Sequence, residues 1–259
     1  MSSSDPAVAT PLEDTIAPPN LLQTLVAAVR SAATFLGIAI YVLVAAPPGL
    51  LAASLLKRPG ILYDLGHGGV WLALTLAGIR TVVRGREHLA PERAVVFCAN
   101  HQSNVDPPAL FRVLHRRLHV LYKAELKRLP LLGRTFVLGG FVAVERENRE
   151  AAMASIARGA QSLRDGNSFL IFPEGTRSRT RQLLPFKKGG FIMALQAGAP
   201  IVPVAIDGGR AAMRKGSLLV WPTTVTVTIG PPIETAAMGL DDRDALIARV
   251  RDEVQRMLG

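Results

Sequence analysis

Hydrophobic and polar positions divide this chain into three stretches. Residues 1–20 are polar, acidic and rich in proline and serine, and this composition predicts a disordered tail. They lack the positive start and short apolar run of a secretory signal. Residues 31–56 then carry no charged side chain, with Arg30 before them and Lys57-Arg58 after. A second apolar stretch, residues 69–79, ends at Arg80, Arg84 and Arg86 and holds Trp71. From about residue 81 short apolar runs alternate with amphipathic segments.

The uncharged stretch exceeds the roughly 20 apolar residues that cross a bilayer, but Pro47-Pro48-Gly49 interrupts it. Paired prolines break or kink a helix. Before the break, residues 31–46 would reach about 24 Å as a helix, short of the roughly 30 Å hydrocarbon core. Two readings follow: a kinked spanning helix, or a hairpin that dips into one leaflet and returns. A buried hairpin of a soluble protein fits less well, because no charged stripe marks a solvent face. The second stretch is too short to span and predicts a helix against the membrane, packed on the first. An ordinary core helix is the alternative.

In the remainder, strand-like runs fall at 81–83, 94–99, 118–122, 141–145, 168–172, 201–206 and 224–229. Helical patterns cover 107–115, 149–165, 187–197 and 241–258. Alternating strands and helices predict a three-layer α/β domain. Pro222 and Pro231-Pro232 predict an edge hairpin and hence a mixed, mostly parallel sheet. The expected organisation is therefore a tail at 1–20, membrane-associated apolar helices at 21–80, and a catalytic domain at 81–259.

Charge sharpens this layout. The formal net charge is +10, and residues 101–190 alone hold 16 basic against 7 acidic side chains. So local a field attracts anions: nucleic acid, anionic headgroups or phosphorylated small molecules. Aromatic residues are 5% of the chain and no nucleic-acid module is visible, so nucleic acid is not the expected partner. Cys98 is the single cysteine, which excludes an internal disulfide and a cysteine-based zinc site. It reads as a small buried hydrophobe. No Walker loop or GxGxxG follows the first strand.

Two polar blocks lie in the basic region, each directly after a strand-like run: Asn100-His101-Gln102-Ser103-Asn104-Val105-Asp106, and Phe172-Pro173-Glu174-Gly175-Thr176-Arg177-Ser178. An imidazole titrates near neutrality and suits general-base work, and a carboxylate can orient it. A spacing of five does not align two side chains on a helix. His101 must end a strand and Asp106 begin a helix for them to meet, and Pro107-Pro108 favours a helix start there. The same position would let Asp106 act merely as an N-cap. His67, His88, His115 and His119 have no carboxylate at such a spacing and read as structural or surface residues. No metal site is indicated.

These two blocks resemble the first and third blocks of the glycerolipid acyltransferases, more narrowly the 1-acylglycerol-3-phosphate acyltransferase group. Gly140-Phe141-Val142-Ala143-Val144-Glu145-Arg146 is similar to the second block, with Glu145 where the family has Asp. Ile201-Val202-Pro203-Val204-Ala205-Ile206 resembles the fourth. The resemblance covers about residues 80–230. It implies the family's three-layer fold and transfer of a fatty acyl group from acyl-CoA or acyl carrier protein to the sn-2 hydroxyl of 1-acylglycerol 3-phosphate, with no cofactor. His101 would be the base and Asp106 its orienting partner. Arg146 and Arg177 would clamp the phosphate, and Glu174 would bind a glycerol hydroxyl or fix the arginines. Gly175 would let the loop backbone approach the substrate closely, Thr176 would be a further substrate-binding residue, and Lys187 would meet the oxyanion or the carrier's phosphates, Lys187-Lys188 as a solvated surface pair being the alternative. Membrane lipids are the expected partners, and the expected place is the cytoplasmic membrane with the catalytic domain facing the cytosol. Competing readings are a related acceptor (another lysophospholipid, glycerol 3-phosphate or a lyso-aminolipid) and a non-catalytic lipid-binding protein.

Overall fold

Fifteen helices and strands follow one another along the described part of a computed structural model, which covers residues 19–89, 92–114, 118–128, 131–144 and 149–259. The chain opens with α1 (Leu21–Leu55) and α2 (Gly60–Ala77), then β1 (Ile79–Arg84), β2 (Val96–Ala99), α3 (Asp106–Val113) and β3 (Leu118–Lys123). It continues through α4 (Leu132–Leu138), β4 (Val142–Val144), α5 (Arg149–Arg164), β5 (Ser168–Ile171) and α6 (Gly189–Ala197). It ends with β6 (Ile201–Asp207), α7 (Gly209–Ala212), β7 (Thr223–Ile229) and α8 (Arg243–Leu258). The predicted tail lies outside the described residues apart from Pro19 and Asn20. Asn20 caps α1, its side chain accepting from Gln23 N at 2.8 Å while Gln23 Oε1 accepts from Asn20 N at 3.0 Å, a reciprocal capping box.

The seven strands form one sheet in the order β1-β7-β6-β2-β5-β3-β4. All neighbours run parallel except β6 and β7, so the sheet is mixed and mostly parallel, as predicted. Alternation along β2 feeds two cores. Phe97 and Ala99 join Leu110, Leu170, Val204 and Ile206 beneath α2 and α3, whereas Val96 and Cys98 join Phe169, Phe191, Leu246 and Val250 beneath α5, α6 and α8. Every residue of β2 and β5 is buried, the signature of strands covered on both faces. The expected edge hairpin differs in one respect. β7 does turn back antiparallel on β6, but β1 pairs along its outer side and is the true edge. Pro222 and Pro231-Pro232 accordingly flank β7 instead of interrupting it, where a missing N–H takes no bond from the ladder.

At the N-terminus the proline pair, which could break or kink a helix, does not break it. α1 passes through Pro47 and Pro48 without ending. Each proline removes one helical hydrogen bond, and packing against α2 supports the helix on both sides of the pair. A Cβ at Gly49 would press on Leu65, and one at Gly37 on Leu76. Tyr41 donates its hydroxyl to Leu65 O at 2.8 Å, and Arg30 donates to Thr75 O at 3.2 Å. Early residues of α1 thus meet late residues of α2, which makes the pair an antiparallel helical hairpin. The hairpin docks on the α/β domain through Tyr63, whose hydroxyl donates to Gly139 O at 2.6 Å. His67 adds a ring stacked 4.5 Å from Phe111 of α3.

Most of α1 is uncovered. Leu22, Leu25, Val29, Leu36, Ile40, Leu43, Val44, Leu51 and Leu55 are all exposed, as is Trp71 on α2. Among the described helices α1 is the one long and apolar enough to cross a membrane. An exposed apolar surface of this extent marks a lipid or protein contact.

Candidate active site

The carboxyl ends of β2 and β5, adjacent in the middle of the sheet, carry the two polar blocks. Ligand sites of open α/β sheets lie outside such strand ends. Just past β2, Asn100 continues the sheet with its side chain: Nδ2 donates to Ile206 O at 2.9 Å and Oδ1 accepts from Ile206 N at 2.7 Å. This double bond to β6 holds the strand end rigid directly before His101.

The chain then turns, and Asp106 opens α3. His101 Nδ1 lies 3.0 Å from Asp106 Oδ2, so the spacing of five works through a strand end and a helix start. Oδ2 also accepts from Gln102 N at 2.6 Å and Ser103 N at 2.7 Å. Val105, not Asp106, occupies the N-cap position of α3, and no side chain caps the helix. The capping alternative therefore falls: the carboxylate turns back to the loop and the ring. Asp106 is fully buried while the ring keeps a 16% exposed edge. A carboxylate only accepts, so Nδ1 carries the proton and Nε2 presents a lone pair. Phe172 stacks on the ring with centroids 4.2 Å apart, which fixes its plane.

Glu174 takes a position that its expected role did not foresee. Its Oε1 accepts from His101 N at 2.7 Å and its Oε2 from Leu184 N at 2.9 Å. Both carboxylate oxygens accept from main-chain donors, so Glu174 ties the histidine loop to its own loop. Ser178 N, donating to His101 O at 2.7 Å, adds a second tie. Burial raises the Glu174 carboxyl above the usual range, and the two amides and the nearby imidazole work against that rise. Behind it, burial and then the Glu174 charge push the Cys98 thiol up, consistent with an inert core cysteine.

The remaining predicted residues divide. Gly175 has φ +69°, and a Cβ there would meet the Lys187 ammonium end at 2.7 Å; the close approach and the left-handed backbone both require glycine. Lys187 thus arches over the Gly175 turn, with its N–H donating to Pro173 O at 2.8 Å, while Lys188 pairs with Asp244 at 3.4 Å on the surface. Thr176 is exposed and Arg177 half-buried. Among the described residues the Arg177 guanidinium has no ion-pair partner. Arg146 and Glu145 lie outside the described residues, although β4, which precedes them, ends at the same side of the sheet as β2 and β5.

Two neighbours were not legible in the sequence. A Cβ at Gly209 would stand 2.1 Å from Asp106 Oδ1, so the start of α7 must be bare for the carboxylate to fit. Only the Gly208-Gly209 pair after a strand hinted at this. Lys215 reaches the Arg177 loop from farther along the chain, and no motif marks it. Of the other histidines, His88 Nδ1 contacts Ile229 O at 2.8 Å and His119 is buried, while His115 lies outside the described residues. No group of described residues is arranged to hold a metal ion.

Fold and site together define a three-layer α/β protein with a His–Asp pair at the carboxyl edge of its sheet. A family model described as Acyltransferase matches residues 80–207. The 1-acyl-sn-glycerol-3-phosphate acyltransferase of Limnanthes douglasii is 33% identical over 231 residues, covering 86% of this chain and 81% of that protein. The human 1-acyl-sn-glycerol-3-phosphate acyltransferase alpha is 34% identical over 177 residues, covering 68% of this chain and 62% of that one. The crystal structure of the 1-acyl-sn-glycerophosphate (LPA) acyltransferase PlsC from Thermotoga maritima superposes with a TM-score of 0.76 at 24% identity, covering 91% of this chain and 97% of that one. The chain belongs to this acyltransferase family.

Proposed function

We propose that the chain transfers a fatty acyl group from an acyl thioester to the sn-2 hydroxyl of 1-acylglycerol 3-phosphate, forming phosphatidic acid. The observation that carries this reading is the His101–Asp106 pair, with Nδ1 bound to a buried carboxylate at 3.0 Å and Nε2 left to act as a base. The substrate class comes from the named relatives, and the Arg177 guanidinium, without an ion-pair partner among the described residues, supports a phosphate-bearing acceptor. Guanidinium and phosphate fit as a bidentate pair.

In this reading His101 Nε2 removes the proton of the acceptor hydroxyl as its oxygen attacks the thioester carbonyl. The new carbon–oxygen bond forms, the carbon–sulfur bond breaks, and the imidazolium returns the proton to the departing thiolate. Asp106 stabilises the imidazolium and keeps the ring in the productive tautomer. A thioester is already activated, so no acyl-enzyme is required. Glu174 positions the histidine loop, and Lys187 lies where it can meet negative charge on the thioester carbonyl or on a carrier's phosphate. Acyl-CoA and acyl carrier protein both fit as donors. No cofactor enters the scheme.

The exposed face of α1 supports attachment to the cytoplasmic membrane with the α/β domain in the cytosol. Basic residues stand at both ends of the apolar stretch, Arg30 and Lys57-Arg58, where they can meet anionic headgroups. Acceptor and product both carry apolar chains and pass between bilayer and site. The test is purified enzyme with acyl-CoA and acyl carrier protein donors against lysophosphatidic acid, glycerol 3-phosphate and other lysophospholipids. Phosphatidic acid should dominate the products, and no turnover of lysophosphatidic acid would overturn the assignment. His101→Ala should lower kcat roughly 10²–10⁴-fold with the fold retained.

A further inference from the structure

Outside the four sequence blocks, one side chain reaches into the loop that carries Arg177. Lys215 lies between α7 and β7, and its Nζ donates to Arg177 O at 2.9 Å and to Thr176 Oγ1 at 3.2 Å. The connection that bears it is well braced. Trp221 N donates to Ala212 O at 2.7 Å across its base, and Ser217 N donates to Arg214 O at 3.1 Å at its turn. Ser103 of the histidine loop donates its hydroxyl to Met213 O at 2.9 Å, and Val220 N donates to Ser31 Oγ of α1 at 2.7 Å. Lys215 is thereby held between fixed points, with the histidine loop at one end of its segment and the Arg177 loop at its tip.

Both acceptors are neutral oxygens. Among the described residues no carboxylate lies within ion-pair distance of Lys215 Nζ. An ammonium has three donors, so two bonds to neutral oxygens leave its charge uncompensated and one proton to give. The Arg177 guanidinium, on the same short loop, is likewise without an ion-pair partner among those residues. The ammonium bonds the main-chain oxygen of Arg177, so two cationic side chains belong to one loop, and an anion between them would relieve their repulsion. A phosphate group offers several acceptor oxygens to a guanidinium and an ammonium at once.

We infer that Lys215 is a phosphate-recognition residue of the acyl-transfer site, forming with Arg177 a two-cation seat. This rests on the acyl-transfer reading above. The phosphate belongs either to the glycerol phosphate of the acceptor or to the CoA or carrier arm of the donor; the two sources separate in the kinetics.

The experiment compares Lys215→Arg, which keeps the charge, with Lys215→Gln, which keeps a hydrogen-bond donor and loses the charge. Lys215→Gln should raise KM roughly 10- to 100-fold, the worth of a hydrogen bond to a charged group, with kcat changed far less; Lys215→Arg should restore most of it. A rise confined to lysophosphatidic acid assigns the acceptor's phosphate, and a rise confined to the thioester assigns the donor's. Inorganic phosphate should raise the melting temperature of the wild-type protein and not that of Lys215→Gln. Equal KM values for both substrates in all three proteins, or Gln performing as well as Arg, would overturn the inference and leave a latch for the loop. If the wild-type protein fails on lysophosphatidic acid, the function reading fails, and the phosphate melting comparison still decides the Lys215 seat.

Discussion

Asp106 shows how tightly single residues determine this site. Its Oδ2 accepts three hydrogen bonds, whereas Oδ1 is buried without a partner, an arrangement that aims the carboxylate at the ring. Gly209 borders that second oxygen. Gly209→Ala would place a methyl group 2.1 Å from Oδ1, and either the carboxylate or α7 must move. Gly209 is not among the residues with positive φ, so its backbone accepts alanine and the effect comes from contact alone. A displacement on the order of 1 Å next to the chemistry lowers rate about 10²-fold. Saturating kinetics on Gly209→Ala should show that loss in kcat, and unchanged kcat would mean that the carboxylate tolerates displacement. Glu174 teaches a different lesson. Its residue type announced a polar role, but its bond to His101 N joins two loops separated by six helices and strands, and its bond to Leu184 N closes its own loop, which no local pattern encodes.

The α1–α2 hairpin is the element that separates this protein from an ordinary α/β domain. Its inner seam is made of small residues and tyrosine contacts, while its outer face presents leucine to the surroundings. Leu36 and Leu43 are 64% and 67% exposed, so neither contributes much to the fold in water. Leu36→Asp with Leu43→Asp should therefore leave the protein folded and release it from vesicles in a flotation assay. An aspartate within a bilayer costs about 2.5–3.5 kcal/mol at mid-depth. Undiminished flotation would show that this face does not meet lipid. The proline pair was legible as a breaker, yet α1 continues past it because α2 lies alongside, a partner that intrinsic propensity does not register.

Across the whole molecule, the sheet places each chemical block by topology. β2 and β5, distant in sequence, are neighbours, and that pairing brings His101 to Phe172 and Glu174. Cys98 closes this pairing opposite Ile171, fully buried, with its thiol held up by burial and by Glu174. It should resist a thiol reagent at neutral pH in the native protein and react stoichiometrically in denaturant, as followed by absorbance of the released chromophore. Rapid native labelling would contradict the packing of the central strands. The central runs were readable because strands covered on both faces are continuous apolar segments, and β7 because its Thr/Val alternation buries one face. Their spatial order was not, nor was the pairing of β1 outside β7, since alternation reports which face is buried and not which strand lies beside it.

By itself the sequence determined the class of fold, the apolar N-terminal segment, the basic middle region and the two polar blocks as candidates for the chemistry. These depend on local periodicity, composition and motifs, which are properties of neighbouring residues. Tertiary structure alone decided that Asp106 faces the ring instead of capping α3, that Glu174 binds main-chain amides, and that Gly209 and Lys215 belong to the site. Each of these is a contact between segments far apart in the chain, and only the packed sheet and its loops bring such segments within hydrogen-bonding distance.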